Sequence, residues 1–540
     1  MQKSEIEHYV FVDKVVDLLR KRKADKHVVD GMWTPSGFFH IGNSRVELLI
    51  PGFVHQNLKL NGLKSEHNFI IDDFDDFDKV PEGLKVTKED FKPFLGMPLR
   101  EVPSPVDGFK SWADYFRNDV VSVIGEFGLK PNILSSYDSY KKGLYDDAIK
   151  IVLDNSEKVR AIWNEITKSE KPESWIPVMI VCENCGRSAT TQVVSWNGDE
   201  VEYECSQDRA YAAGCRHKGK VKPVKGRAKL PWRIHWAATW YVYGTTFETA
   251  GKDHFAAGGS VATGQAFCRQ IFHTEPPLQT PTEFLLVDKA KLSGSVGNVI
   301  SLKDWLEFAE PELLRFMMVS YRPETVIEFD LHSNKFFLLA DRYEEAERVF
   351  FEKNDRKEKR DRQLIEIYRF SQVNEIPKKM PVQLNYSLAT MVVQIFPNKP
   401  LKELVKILHS KEWIDRKKLS FADNERLVKR LQLAKNWIKK YAPEDARFAL
   451  QEEIPKDLGL HSKEKEAMRL VAKILKEKDW NQKDLFNEFY RICKEEVHLE
   501  PAEFFKSAYK VLLNKERGPK LAPFILTIGK EKVAKLFEMV

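Results

Sequence analysis

The last part of the chain is nearly free of glycine. Only three of the 26 glycines, Gly459, Gly518 and Gly529, lie within residues 331–540. Since glycine marks turns, this shortage predicts few tight turns there. Apolar residues in the same part recur at spacings of three and four, which is typical of helices. We therefore predict a turn-rich α/β region over residues 1–330, followed by an all-α region.

Long apolar runs and a large charge excess are also missing. No stretch approaches the roughly 20 apolar residues of a membrane span, and the charged N-terminal segment lacks the apolar core of a secretory signal. With 43% hydrophobic and 31% charged residues, we expect a globular, cytoplasmic protein without a membrane partner. The 86 basic residues only slightly exceed the 80 acidic ones, which permits a nucleic-acid partner without requiring one.

Cysteine is scarce, but four of the six cysteines form one pattern. Cys182 and Cys185 make a C-x-x-C pair, and Cys205 and Cys215 follow further along the chain. In a cytosolic protein this arrangement favours a four-thiolate zinc site over disulfides. We expect the zinc to be structural, because four thiolates leave no open coordination position. His217 is the alternative to Cys215 as the fourth ligand.

The segment from Asp30 to Asn43 joins a short strand to a helix through a turn rich in glycine and proline. A helix N-terminus offers unpaired backbone N–H groups and the positive end of the helix dipole, and glycine lets a ligand approach the backbone closely. The turn ends in His40-Ile41-Gly42, where the histidine can touch a phosphate directly. This segment is the first candidate phosphate site.

A second candidate phosphate loop lies far downstream. Residues 288–298, with the sequence DKAKLSGSVGN, combine lysine, serine and glycine ahead of a helical run that starts at Leu302. Such a loop is suited to neutralising charge on a polyphosphate. Two phosphate loops therefore fall in one α/β region.

Acidic residues follow the second predicted strand. The run DDFDDFD, residues 72–78, comes directly after the apolar strand that ends at Ile71. Ligands of open parallel sheets lie beyond the carboxyl ends of the strands, so one or two of these acids, with Asp72 and Asp73 nearest, are expected to face a pocket. An amine-bearing substrate would suit them. The other acids are interpreted as a solvated loop or a helix cap.

Two further segments, around Trp232 and Asp253, contain residues suited to ligand binding. Asp253 follows a glycine turn and can hold ribose hydroxyls, whereas Gly258 and Gly259 let an adenine lie close to the backbone. Trp232 can wall the aliphatic stem of a substrate. Each of these residues has packing as its alternative role. Together they predict a pocket for ATP and an amine.

The ordered motifs closely resemble the class I lysyl-tRNA synthetases typical of archaea. The motifs are GMWTPSGFFHIGN, DDFDDFDKVP, CxxC, LxWRIxW, GKDHxxxGGS, KLSGSxGN and PELLRFM. The two phosphate loops correspond to the HIGH and KMSKS motifs of class I synthetases, and the resemblance covers nearly the whole chain. It implies a Rossmann-type parallel-sheet catalytic domain over 1–330 with a zinc-binding insertion at 175–225, then a helical tRNA and anticodon-binding region over 331–540.

The resemblance also implies a reaction and its participants. The carboxylate of L-lysine attacks the α-phosphate of ATP to give lysyl-adenylate and pyrophosphate, and lysine then passes to the 3′-terminal ribose of tRNA(Lys). Mg²⁺ is expected as the counter-ion of ATP, since hard oxygen ligands suit it, and one structural Zn²⁺ is expected as well.

Matched motif by motif, the resemblance implies roles for individual residues. Those implied in catalysis are His40, Asn43, Lys291, Ser293 and Ser295. Those implied in ATP binding are Pro35, Gly37, His40, Gly42, Asn43, Asp253, His254, Gly258 and Lys291. Those implied in lysine binding are Gly31, Thr34, Asp72, Trp232 and His254.

Two of the chain's departures from the family pattern concern its second phosphate loop and a metal site. Gly294 occupies the position of the usual second lysine of the KMSKS-like loop, so Lys291 is its central lysine and Lys289 a possible substitute. Residues 107–116 contain no cysteine or histidine where family members often carry a second zinc cluster. We expect aromatic packing there instead of a metal.

Three other functions remain open at this point. Another class I synthetase, for glutamate, arginine or cysteine, would share the phosphate loops, although the acidic run favours a cationic side chain. A non-catalytic tRNA-binding relative would not need the intact His40, Lys291 and Asp253. A nucleotidyltransferase acting on small molecules would share the first phosphate loop but would not need the helical region.

Overall fold

The computed structural model describes residues 8–292, 299–333, 335–352, 358–454 and 458–540. Ser293 and Ser295 of the second phosphate loop lie outside the described residues. The chain forms two compact units. The first comprises Met1–Leu306, Glu310–Phe329 and Val349–Ile376, and the second comprises Glu307–Ala309, Asp330–Arg348 and Pro377–Val540. The division of the chain after residue 330 stays a prediction about how its functions are distributed.

All strands of the described residues belong to the first unit. They are β1 His27–Trp33, β2 Ser65–Ile71, β3 Asn132–Ser135, β4 Met179–Ile180, β5 Gln192–Trp196, β6 Val201–Glu204, β7 Lys218–Val221, β8 Ala228–Lys229, β9 Thr245–Gly251, β10 Leu278–Thr282, β11 Leu285–Val287, β12 Ala290–Lys291 and β13 Ile327–Phe329.

The central sheet has five strands in the order β10-β9-β1-β2-β3, and every neighbouring pair is parallel. All seven residues of β1 are buried, as expected for a central strand covered by helices on both faces. The strand order reverses between β1 and β9, which opens a crevice at their carboxyl ends. The predicted parallel α/β sheet is therefore confirmed, and the crevice is where its ligands should bind.

Helices surround this sheet. Up to residue 320 the α-helices are Phe11–Arg20, Ile41–Ser44, Ile50–Leu60, Lys88–Phe91, Trp112–Val121, Ser136–Lys141, Asp146–Asp154, Ser156–Thr167, Trp232–Tyr243, Ser260–Gln270, Leu302–Phe308 and Pro311–Ser320. A π-helical turn, Arg45–Leu49, joins the second and third of them into one rod. Gly31 of β1 packs against this turn, where a Cβ would clash with the carbonyl oxygen of Glu47.

The predicted helical region is also confirmed. After residue 330 the α-helices are Lys335–Phe351, Lys359–Ser371, Tyr386–Ile395, Leu401–Ser410, Phe421–Lys440, Ser462–Glu477, Gln482–Arg491, Pro501–Leu513, Leu521–Ile528 and Lys530–Glu538. Many of the aromatic rings of the second unit lie in its core, among them those of Phe336, Tyr386 and Trp437. Of the helices that the structure describes, none combines the length and apolar character needed to cross a lipid bilayer.

Candidate active site

Two motif segments border the crevice. Thr34 to His40 follow the end of β1, and a short 3-10 turn, Lys252–Phe255, follows the end of β9. Because β1 and β9 are adjacent and parallel, both segments leave the sheet at the same edge. The topology thus brings together residues that lie far apart in the sequence.

His40 caps the helix that follows β1. Its Nδ1 accepts a hydrogen bond from Asn43 N at 3.2 Å, and its own N–H donates to Asn43 Oδ1 at 3.2 Å. Burial, followed by the positive charge of Lys291, lowers the pKa of His40 to about 4. The ring is therefore neutral at pH 7, and because Nδ1 accepts, the proton lies on Nε2. His40 is built to donate one hydrogen bond from Nε2.

The second phosphate loop begins as a hairpin. Strands β11 and β12 pair antiparallel, and Asp288 and Lys289 between them have positive φ values of 50° and 66°, as two-residue hairpin turns require. Lys289 lies in the turn. Lys291 lies on β12, with its Nζ 3.7 Å from Asp253 Oδ2 and 3.7 Å from the centre of the Phe284 ring. Of the two candidate lysines, Lys291 has the contact with the segment after β9.

The segment after β9 forms a compact turn. Gly258 has a φ of 73°, and its carbonyl accepts a hydrogen bond from Arg233 Nη1 at 2.6 Å. The His254 ring lies 5.4 Å from the ring of Trp236 and 6.3 Å from that of Trp232, and burial lowers the pKa of His254. Asp253 is exposed. This turn therefore presents an exposed carboxylate beside an apolar, aromatic wall.

Asp72 is a buried carboxylate at the end of β2. Its N–H donates to the carbonyl of Trp33 at 2.9 Å, which places it beside the end of β1. Neither of its carboxylate oxygens accepts a hydrogen bond within the described part of the chain. Burial by itself would raise the pKa of Asp72, but the positive charge of Lys229 and the neighbouring His235 ring outweigh it and lower the pKa. Asp72 is therefore an ionised carboxylate without a close hydrogen bond in the described residues, with His235 Nε2 3.5 Å from its Oδ1.

The next three acids of the run have hydrogen-bond partners in the protein. Asp73 accepts from Ser135 Oγ at 2.7 Å and from Tyr137 N at 2.9 Å, Asp75 from Lys229 Nζ at 2.7 Å, and Asp76 from Ser188 Oγ. Asp73 thus holds the start of the helix after β3. The contacts of Asp73 fit the interpretation as a helix cap, whereas Asp75 and Asp76 bond to distant protein groups rather than forming a solvated loop.

The helix Trp232–Tyr243 connects the two sides of the crevice. The Trp232 ring stacks on Trp236 at 5.6 Å, near His254, whereas His235 Nε2 lies 3.5 Å from Asp72 Oδ1 on the other side. Thr34 is half-buried after β1. The remaining predicted residues of the first loop lie as follows: Pro35 and Gly37 are buried, and Gly42 packs against the His40 ring.

A pair of buried carboxylates behind the site has no clear signal in the sequence. Asp30 and Glu248 are neighbours across β1 and β9. Glu248 Oε2 accepts hydrogen bonds from Trp236 Nε1, at 2.9 Å, and from Trp240 Nε1. Burial, followed by the negative charge of Asp30, raises the pKa of Glu248 to about 8.

The four predicted cysteine ligands converge. The Sγ atoms of Cys182, Cys185, Cys205 and Cys215 all lie within 4.8 Å of one another, with 3.7 Å between those of Cys182 and Cys215 and 3.8 Å between those of Cys185 and Cys205. A tetrahedral zinc with Zn–S distances of about 2.3 Å places its sulfurs roughly 3.8 Å apart, so the set fits that ion. The group of candidate ligands contains Cys215 rather than His217.

The segment 107–116 is packed by aromatic rings, as expected. The Trp112 ring is fully buried and lies 4.7 Å from that of Phe77, 5.0 Å from that of Phe91 and 5.5 Å from that of Phe116. Within the described residues, the four-cysteine cluster is the only group of three or more ligand side chains close enough to share a metal.

Comparison with known proteins gives a consistent result. A sequence model of the family tRNA synthetases class I (K) matches residues 9–374. A lysine–tRNA ligase of Methanocaldococcus jannaschii is 34% identical over 537 residues, which cover 97% of this chain and 98% of that protein. A lysine–tRNA ligase of Pyrococcus horikoshii is 32% identical over 534 residues, again with 97% and 98% covered.

Proposed function

The chain belongs to the class I lysyl-tRNA synthetase family, and from this premise we propose that it attaches L-lysine to tRNA(Lys) through a lysyl-adenylate. The observation that carries the proposal is the similarity to lysine–tRNA ligases over nearly the full length of both chains, so that the α/β region and the helical region both have counterparts. The reaction uses ATP with Mg²⁺ as its counter-ion.

His40 and the second loop would bind the phosphates of ATP. Neutral His40 donates from Nε2, and its capping bonds with Asn43 fix the ring in that orientation. Lys291, together with Ser293 and Ser295, would neutralise charge that develops on the leaving pyrophosphate. These groups act by electrostatics and position rather than by proton transfer, as in other phosphoryl-transfer sites.

Asp72 would bind an ammonium group of lysine. Support comes from its ionised state and its two oxygens without hydrogen bonds in the described part of the chain. Thr34 follows the strand end next to it, and Trp232 and His254 provide an apolar wall for the aliphatic stem. Gly31 packs closely against the π-helical turn at Glu47 and has no side chain, so it would contribute only its backbone to lysine binding.

The turn after β9 would hold the adenosine. The exposed carboxylate of Asp253 suits ribose hydroxyls, and the backbone at Gly258 suits a planar base. On the opposite side of the crevice, Pro35, Gly37 and Gly42 would let the first loop lie close to the phosphates. Lys291 approaches Asp253, so the loop and the adenosine side would close on the same nucleotide.

We assign one structural Zn²⁺ to the four cysteines. Cys182 and Cys185 lie between β4 and β5, while Cys205 follows β6, so the ion would join the turns of the antiparallel sheet β5-β6-β7. This insertion contacts the acidic run, because Ser188 Oγ donates to Asp76. Zinc would therefore stabilise the active site, because it would fix the loop that contains Ser188, and Ser188 holds the acidic run next to Asp72 through Asp76.

The helical region 331–540 would bind the tRNA, in particular its anticodon arm. The chemistry of adenylation is accommodated by residues of the first unit, and a helical array offers a rigid surface for an unstacked RNA loop. RNA loops are recognised by base stacking and edge contacts, with lysine and arginine at the phosphates.

ATP–pyrophosphate exchange with each of the twenty amino acids, with tRNA present, tests the proposal. We expect exchange with lysine. Exchange with arginine, glutamate or cysteine but not with lysine would overturn it, and no exchange by protein that still binds tRNA would indicate a non-catalytic relative.

A further inference from the structure

Three aromatic rings lie together at the surface of the second unit, two of them exposed and the third half-buried. Phe486 and Tyr490 lie one turn apart on the helix Gln482–Arg491, and 45% and 36% of their surfaces are exposed. Phe505, on the helix Pro501–Leu513, lies against both. Its ring is 6.2 Å from that of Phe486, with 10° between the planes, and 5.9 Å from that of Tyr490. Grouped exposed aromatics of this kind mark a binding surface more often than isolated ones do.

A cavity of about 530 Å³ opens beside these rings, and we call it the aromatic pocket. It is lined by Phe486 and Phe505 on one side and by Lys483 and Lys520 among its polar residues, with no carboxylate in its wall. In the described part of the chain, neither lysine forms an ion pair, whereas nearby Lys506 is paired with Glu516 at 2.7 Å. The pocket therefore combines flat apolar faces with positive charge that no acid offsets.

The wall that carries Lys520 is held in place by tight packing. A Cβ at Gly518 would lie 2.7 Å from Cδ1 of Tyr509, so glycine lets this segment approach the ring. The Tyr509 hydroxyl donates a hydrogen bond to the carbonyl of Pro519. Lys520 begins the next helix as its N-cap residue. The pocket is thus preformed, which lowers the entropic cost of binding a ligand.

A nucleobase with its adjoining phosphates fits this combination of groups. Aromatic side chains stack on unpaired bases, and lysines along the same groove hold the backbone. We propose that the aromatic pocket binds one unstacked base of a tRNA loop against the ring of Phe486, with Phe505 packed behind it, while Lys483 and Lys520 contact neighbouring phosphates. This inference rests on the proposed function, since it takes tRNA as the substrate.

The test uses the full chain and a tRNA(Lys) transcript. Phe486→Ala should raise the Kd for the transcript and its KM in charging by about tenfold, the change expected from loss of stacking on one base. Lysine-dependent exchange at saturating tRNA should be unchanged, and Phe486→Trp should restore binding. Phe421→Ala removes another exposed aromatic of the same unit, 83% exposed, and should leave the Kd for the transcript unchanged.

A second pair of variants tests the phosphate contacts. Lys520→Gln should reduce the slope of log K against log salt concentration by about 0.7, the value for one phosphate contact on a single strand. Lys473→Gln removes an exposed lysine of another helix and should leave the slope unchanged.

The outcomes separate this inference from the proposed function. If the wild-type protein charges tRNA with lysine but Phe486→Ala binds and charges as well as wild type, the aromatic pocket is not a base site. If Phe486→Ala loses exchange together with charging, the ring serves the fold and the inference is equally overturned. Failure of the wild-type protein to use lysine would instead overturn the proposed function.

Discussion

The ammonium of Lys291 lies 3.7 Å from the carboxylate of Asp253, across the opening between the second phosphate loop and the turn after β9. Both side chains are more than half exposed, at 57% and 68%, so water screens the pair and it adds little to stability. A nucleotide can therefore replace this contact at small cost. Lys291, which would bind the phosphates, is therefore already adjacent to Asp253, which would bind the ribose.

The two phosphate-contacting side chains give the first prediction. Lys291→Ala and His40→Ala should each lower the rate of lysine-dependent ATP–pyrophosphate exchange about 100-fold or more, because a lost contact in such a site costs roughly 3 kcal/mol. Lys289→Ala, in the turn of the same hairpin, is the matched control and should change the rate far less. A larger loss of exchange rate for Lys289→Ala than for Lys291→Ala would show that Lys289, and not Lys291, is the phosphate-binding lysine of the loop.

Asp72 gives a prediction about substrate binding. Asp72→Asn should raise the KM for lysine about tenfold or more and leave the KM for ATP nearly unchanged, since a charge-assisted hydrogen bond is worth roughly 1.5–3 kcal/mol. Asp78→Asn neutralises an exposed acid of the same run and serves as the control. Thermal unfolding of both variants checks the fold. Equal lysine KM values for the two variants would contradict the assignment.

The buried Glu248 predicts a dependence of stability on pH. Its pKa is raised from 4.5 to about 8, so the folded protein holds a proton that the unfolded chain releases over this range. The corresponding stability is complete below pH 4.5 and is lost as the pH rises towards 8, by about 1.4 kcal/mol per pH unit for one such group. Denaturant titrations between pH 5 and pH 8 should therefore show a steeper loss for wild type than for Glu248→Gln, which still accepts from Trp236 and Trp240. Parallel losses would contradict this account.

The metal content is the fourth prediction. Purified protein should contain about one zinc per chain, because four thiolates close one tetrahedral shell. Cys205→Ala should lose the metal and unfold at lower temperature, whereas Cys268→Ala, which removes a cysteine outside the cluster, should keep it. Two zinc ions per chain would indicate a second metal site. No zinc would show that the four cysteines do not bind the metal.

Local patterns in the sequence predict much of this fold. The strand before His40, the helix that begins near it and the helix from Leu302 all follow from turn residues and short-range periodicity, and the structure contains each of them. The convergence of the four cysteines was predictable as well, because metal ligands have characteristic spacings.

Contacts between distant segments were not predictable in the same way. Nothing near Asp76 in the sequence points to Ser188, and nothing near Glu248 requires two tryptophan N–H donors. Residues 358–376 are another example, since their packing within the first unit involves Arg315, whose guanidinium donates to the carbonyl of Phe370 at 2.7 Å. Whether a charged side chain can be buried depends on partners from distant segments, and a local sequence pattern does not show those partners.

The most direct test of the central claim is to identify the amino acid that the protein attaches to tRNA. The full chain is incubated with ATP, Mg²⁺, total tRNA and an equal mixture of the twenty amino acids, and mass spectrometry identifies the amino acid released from the purified tRNA. We predict lysine, attached to tRNA(Lys) and only when ATP is present. Arginine, glutamate or cysteine on the tRNA, or no attached amino acid with folded and zinc-loaded protein, would contradict the account.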